Sequence, residues 1–383
     1  MTASRPEAQR PAPPRPPSAP PAAPPARPSA PPPGWSPPTQ SNPPAPPSFR
    51  PPPQHAAHPA PPAAPPQAPH SGAHSGLPTA DELPDRGWRR VVRLLTFGLI
   101  NPGPSPAQQQ EAQFEAAIRT RLYGNRKVGV LGKGGVGKTS VAASVGSLFA
   151  GLRKQDHVVA IDADTAFGRL SSRIDPASTG SFWELTADKN LRSFDDVVAR
   201  LGRNAAGLHV LAGEPASGPR RVLDPAIYRE AALRLDRHFT ISVVDCGSTM
   251  DSPLTGEVLR DLDALIVVSS PWADGASAAA RTMEWLADQG LDTLLRHTIV
   301  VLNDSDGHAD KRTRALLARE FTDHGRPVIE VPYDPHLRPG GVIDVSHEMA
   351  PATRRKFLEV TATIAGYFAA RPDDAKDQRP TDN

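Results

Sequence analysis

The run Gly132-Lys133-Gly134-Gly135-Val136-Gly137-Lys138-Thr139 fits the spacing Gly-x4-Gly-Lys-Thr, with Ser140 following. Glycines let backbone N–H groups converge on phosphate oxygens with no Cβ in the way. The spacing therefore predicts a phosphate cradle running from Gly132 to Ser140. In it Lys138 reaches the terminal phosphates and the Thr139 hydroxyl ligates Mg²⁺. Acids stand nearby in the same pattern of apolar runs. Val158–Ile161 runs into Asp162-Ala163-Asp164, and Thr240–Val244 runs into Asp245, which is placed to hold a water on Mg²⁺. Asn303 closes another apolar run, and Pro332-Tyr333 follows one more.

Such groups act together only if the chain brings them to one place. From Lys127 onward, strand and helix signals alternate. Strands are expected at Lys127–Leu131, His157–Ile161, Leu208–Leu211, Thr240–Val244, Leu265–Val268, Thr298–Leu302 and Val328–Val331. Helices are expected at Lys138–Phe149, Tyr228–His238, Ala273–Ala287, Arg312–His324 and about Ala352–Ala370. Short continuous apolar strands between helices indicate an α/β, doubly wound, mainly parallel sheet covered on both faces. Ligands of such sheets sit beyond the carboxyl ends of the strands, where Asp162, Asp245 and Asn303 fall.

Composition divides the chain. Thirty of its 47 prolines precede residue 81, with only Trp35 and Phe49 as aromatics there. Residues 1–80 cannot bury enough apolar surface to offset ordering entropy, so a disordered, polyproline-rich tail is expected. It reads as a solvated spacer or as a ligand for aromatic-lined grooves. Residues 81–124 form a joining segment. Its centre, Gly87-Trp88-Arg89-Arg90-Val91-Val92-Arg93-Leu94-Leu95, alternates apolar and basic residues at roughly helical spacing. That suits docking on a partner, weak contact with an anionic membrane, or packing back on the core. A polar helix follows from Ala107 to Leu122. Residues 125–372 hold the alternating core, and residues 373–383 form a polar tail.

Five arginines and Glu7 give the first eighty residues a net +4, so a whole-chain charge of +2 leaves −2 for the rest. That weakens bulk nucleic-acid binding. Lys311, Arg312 and Arg314, and Arg354-Arg355-Lys356, are the local exceptions. The lone Cys246 excludes an internal disulfide and speaks against a thiolate metal centre. No secretory leader and no run of eighteen apolar residues is found, so a cytoplasmic location is expected.

Lys133, a second lysine inside the cradle, is not demanded by phosphate binding alone. Lys-Gly-Gly-Val-Gly-Lys-Thr resembles the deviant Walker A loop of the MinD/ParA class of P-loop ATPases. The resemblance implies ATP and Mg²⁺ as ligands and an ATP-dependent homodimer in which Lys133 reaches the partner's nucleotide. It implies that Asp164 positions or activates the attacking water, that Asp162 supports the Mg²⁺ shell or switch region, and that Asn303, Pro332 and Tyr333 flank adenine. Thr165 and Arg169 depart from the family's pattern beyond the second acid. They leave room for a nucleotide-binding regulator that scarcely hydrolyses.

The Pro/Ala-rich tail, the Trp88 segment with Asn101-Pro102-Gly103 after it, and the core together resemble the EspI-like ATPases of actinobacteria. Those are linked to type VII secretion. This resemblance implies a cytoplasmic ATPase, slow and partner-stimulated, that regulates or assists a secretion machine through the tail or the Trp88 segment; contact with the inner face of the plasma membrane is the alternative to a purely cytoplasmic location. The alternative is a ParA-like partition protein that binds DNA through the two basic runs.

Overall fold

The computed structural model describes residues 104–164, 168–213, 221–323 and 325–370. The Pro-rich tail, the Trp88 segment, Thr165 and the tail after Ala370 lie outside the described residues.

The strands are β1 (Arg126–Gly132), β2 (Val158–Ala163), β3 (Gly202–Arg203), β4 (His209–Leu211), β5 (Ile241–Cys246), β6 (Ala264–Ser269), β7 (Thr298–Asn303) and β8 (Val328–Val331). They form one sheet in the order β3-β4-β2-β5-β1-β6-β7-β8. Every pairing is parallel except β3 with β4. The helices are α1 (Pro106–Ile118), α2 (Lys138–Leu152), α3 (Leu170–Ile174), α4 (Phe182–Ala187), α5 (Phe194–Val198), α6 (Pro225–Asp236), α7 (Pro253–Asp261), α8 (Ala273–Asp288), α9 (Asp292–Arg296), α10 (Lys311–Asp323) and α11 (Pro351–Ala370).

The central strands are buried along their whole length, which is why they read as unbroken apolar runs. Side chains alternate between two cores. Val128, Val130, Ala160, Val243, Ile266 and Val301 pack with α1, α2 and α11. Leu131, Ile161, Val244, Val267 and Leu302 pack with α4, α6, α7 and α8. By the same period of two, Asp162, Asp245 and Asn303 fall on the α2 face of the sheet.

The helix expected at Ala107–Leu122 stops at Ile118. The Arg153 guanidinium takes the Ile118 and Thr120 carbonyls, each at 2.6 Å, and so satisfies the groups a longer helix would have bonded. Its start is set by a capping box between Ser105 and Gln108 with Pro106 in the first turn. The sequence reading passed over α3, α4, α5, α7 and α9. Three of these carried usable start signals: Ser181 with Glu184, Ser193 with Asp196, and Ser252 before Pro253.

One histidine makes the fold acid-sensitive. His209 is buried on β4 against Phe194 and Phe239. Burial, then the charge of Arg203 and His157, lowers its pKa from 6.5 to about 4. Below pH 6.5 the unfolded chain takes up a proton that the folded chain refuses until about pH 4. Stability is therefore complete above pH 6.5 and falls through that window. Between pH 7 and pH 5 this residue should cost about 1–2 kcal/mol. Urea titrations of wild type and His209→Phe should differ by that amount at pH 5 relative to pH 7; parallel pH curves would refute it.

Candidate functional site

The cradle forms between β1 and α2. Gly137 begins α2 with φ of 95°, and a Cβ there would lie 2.4 Å from Asn303 Nδ2, so backbone and space both require glycine. The free N–H groups and dipole of the first turn of α2 face the cradle. Lys138 is buried and folds back until its Nζ lies 3.4 Å from the Lys133 carbonyl. Thr139 and Ser140 follow on the same turn. Asn303 Nδ2 donates to the Val136 carbonyl at 2.9 Å, so its amide braces the cradle from below.

Asp162 and Asp245 stand in register on β2 and β5, both buried. Asp162 accepts the N–H of Asp164 at 3.3 Å and of Leu170 at 3.0 Å. Burial, and after it the Asp245 charge, pushes its carboxyl well above the usual range. Burial likewise raises Asp245, while the nearby Thr139 hydroxyl and Lys138 ammonium favour its charged form. Yet neither Asp245 carboxylate oxygen completes a well-aligned hydrogen bond, the one toward the Thr139 hydroxyl included. A buried carboxylate with two unsatisfied oxygens, beside a hydroxyl and a second acid, has the donor chemistry of a hard-cation site.

The chain after β2 closes tightly on this pair. A Cβ on Gly168 would lie 2.5 Å from Asp162 Oδ1. Half-buried Asp164 sits just past the strand end, 3.6 Å from where a Cβ on Gly247 would be. Arg169 is exposed at the head of α3.

Lys133 is exposed at the rim and pairs with Asp274, Nζ to Oδ2 at 2.6 Å. That contact holds the Asp274 carboxyl below its ordinary range. Asp274, in the first turn of α8, escaped the sequence reading; an acid at a helix N-terminus is too common a signal to single it out.

A pocket of about 120 Å³ adjoins the cradle, lined by Gly135, Gly137, Ser140, Arg173, Asn303, Asp304, Ser305, Asp334, Leu337 and Arg338. Asn303 therefore reaches both cradle and pocket. Pro332 does not line it; it borders a separate pocket with Arg314, Arg355 and Lys356. Tyr333 is 40% exposed and lies over Gly307. The loop after β8 meets the pocket instead through Asp334, Leu337 and Arg338. Asp334 is fixed there by the N–H groups of His336 and Ala350.

Residues 129–339 match the family model of the CobQ/CobB/MinD/ParA nucleotide binding domain. The ESX-1 secretion-associated protein EspI of Mycobacterium tuberculosis (strain H37Rv) is 33% identical over 287 residues, which cover 74% of this chain and 42% of EspI. The chain thus spans less than half the length of that curated relative. Among solved structures, the cell division ATPase MinD of Pyrococcus furiosus aligns with a TM-score of 0.49 and 19% identity, over 64% of this chain and 98% of MinD. The septum site-determining protein MinD of Pyrococcus horikoshii, complexed with Mg-ADP, aligns with a TM-score of 0.49 and 18% identity, over 64% and 100%. Among the described residues no helix is long and apolar enough to cross a membrane.

Proposed function

Because the chain belongs to the CobQ/CobB/MinD/ParA nucleotide-binding family, we propose that it is an ATP-driven dimerising switch that serves type VII secretion. The observation that carries the reading is the buried Asp245 carboxylate, unsatisfied beside Thr139 and Lys138. Lys138 and the N-terminus of α2 neutralise the phosphates, and Ser140 shapes the turn that receives them. Thr139, Asp162 and Asp245 would hold Mg²⁺, which would supply charge neutralisation to the phosphates. Asp164 orients the attacking water from the strand end. Asn303 keeps the cradle backbone in place while Asp304, Asp334, Leu337 and Arg338 wall the base. Pro332 and Tyr333 steer that wall from outside.

Lys133 leaves Asp274 to reach the partner's phosphates. The Lys133–Asp274 pair is solvated, so exchanging it for a phosphate contact is easily reversed. The 33% identity to an ESX-1 secretion-associated protein supports the cellular role. We place the protein in the cytoplasm, peripheral to the membrane, with the Trp88 segment or the Pro-rich tail engaging the secretion machinery.

Mass in solution with Mg²⁺·ATP tests the switch. Wild type should dimerise, Asp164→Ala should accumulate as dimer because hydrolysis no longer opens it, and Lys133→Ala should stay monomeric. Monomer in all three samples would refute dimerisation.

DNA binding is a second reading. The structure brings Arg314, from one basic run, into the same pocket as Arg355 and Lys356, from the other. Arg355 is paired with Glu111 at 2.9 Å, Lys356 with Glu359 at 2.8 Å, and Glu330 lines the pocket too. Much of the positive charge is thereby offset. Salt-sensitive binding to non-specific DNA with ATP would reverse that ranking.

A further inference from the structure

We infer that Arg173 is a positioning residue that couples the Asp162 loop to the wall of the nucleotide pocket; this rests on the proposed nucleotide site. Helix α3 is a short lever with one end on each side. At its head, the Leu170 N–H donates to Asp162 Oδ2 at 3.0 Å. One turn on, Arg173 Nη1 donates to the Leu337 carbonyl at 3.1 Å and lies 3.4 Å from the Gly341 carbonyl. The Arg173 carbonyl in turn accepts the Ile343 N–H at 2.9 Å. Leu337 lines the pocket beside the cradle, as does Arg173 itself.

Like Arg153 and Arg326, Arg173 gives guanidinium N–H groups to backbone carbonyls. Its guanidinium is half-buried and burial lowers its pKa, with no carboxylate among the described residues holding it up. Among the described residues its hydrogen bonds go to backbone carbonyls. Such an arrangement gives up the favourable pairing a carboxylate would supply, and what it gains is a fixed distance between two segments. The loop does not need Arg173 to hold its shape. Asp334 bonds the N–H groups of His336 and Ala350, His336 Nε2 accepts the N–H of Asp344, and Asp344 accepts Ser346 and His347. The Ile343 N–H already ties the loop to the α3 backbone; what the side chain adds is a second tie, to the Leu337 carbonyl on the pocket wall itself, and through Leu170 from there to the acid that faces Asp245.

Coupling of this kind is reciprocal. A base seated against Leu337 steadies α3 and so fixes Asp162 before hydrolysis. A change at Asp162, transmitted through α3, alters the pocket wall. A triphosphate without a base fills the cradle but leaves that lever unloaded.

Hydrogen exchange of the full chain, read by mass spectrometry, separates the two ligands. In wild type, Mg²⁺·ADP should slow exchange in residues 168–175 about tenfold more than Mg²⁺·triphosphate does, while both protect residues 132–141. In Arg173→Met the ADP-specific protection of 168–175 should fall several-fold, the remainder coming through the Ile343 N–H on the Arg173 carbonyl, with protection of 132–141 and 335–343 retained. Arg173→Lys, which keeps charge and reach, should restore part of it and guards against misfolding of the first variant. Undiminished ADP-specific protection in Arg173→Met would overturn the inference. Equal protection of 168–175 by both ligands in wild type would overturn it too, with the nucleotide reading intact. Failure of either ligand to protect 132–141 would remove the nucleotide reading and this inference together.

Discussion

Alanine at Lys127 is expected to cost about 3–5 kcal/mol of stability, the range for removing one partner from a buried charge cluster. Lys127 lies on β1, at the end of the sheet opposite the cradle, and is only 1% exposed. Its Nζ pairs with Asp236 at 2.8 Å and with Asp261, and its backbone N–H donates to Asp263 at 2.7 Å. Asp236 and Asp261 close α6 and α7, where the helix dipole makes an acid unfavourable unless a cation is near. One ammonium thus fastens two helix ends to the central strand. Urea denaturation should show the loss as a lowered midpoint with little change in slope. Asp236→Asn and Asp261→Asn added to Lys127→Met should recover much of it, because the charges left behind are then gone. A loss below about 1 kcal/mol for Lys127→Ala would mean that water already reaches the cluster.

Asparagine at Asp245 should have the opposite sign in the free protein. Asp245 is 0% exposed, neither of its oxygens is satisfied, and Asp162 stands in register beside it. Removing that charge should raise stability of the nucleotide-free chain by about 1–2 kcal/mol. If the proposed function is right, the same substitution should lower ATP turnover by about 10²-fold, because a neutral amide is a poorer cation ligand than a carboxylate. Thermal unfolding with and without Mg²⁺·ATP reads both effects. The variant should start higher and gain less from ligand than wild type. A lower starting point, or an undiminished gain, would refute the assignment of Asp245 to the metal. On the proposed function, stability and function oppose each other here, because acids gathered to take a divalent cation repel one another without it.

Most of the fold was legible because its signals are local. An apolar run buried on both faces needs no knowledge of its neighbours to be read as a central strand, and five of the expected strands end within one residue of the observed ends. The helices passed over are mostly one or two turns long. Three of them carried start signals, but apolar periodicity cannot develop over so few residues.

The site divides the same way. Spacing alone assembled Gly132 to Ser140 into a cradle between strand and helix, and the ends of the apolar runs put Asp162, Asp245 and Asn303 at the carboxyl edge of the sheet. Those relations depend on bond geometry and on the backbone's own hydrogen bonding, which the order of residues carries directly. Three others depend on which surfaces meet after packing. Lys133 finds Asp274 across 141 residues, Asn303 finds Val136 across 167, and Arg173 finds Leu337 across 164. No local pattern marks those partners, since any acid or carbonyl would serve. Tertiary structure alone decided that Asn303 braces the cradle, that Leu337 and Arg338 wall the pocket in preference to Pro332 and Tyr333, and that Lys133, singled out by its place in the loop, rests on Asp274.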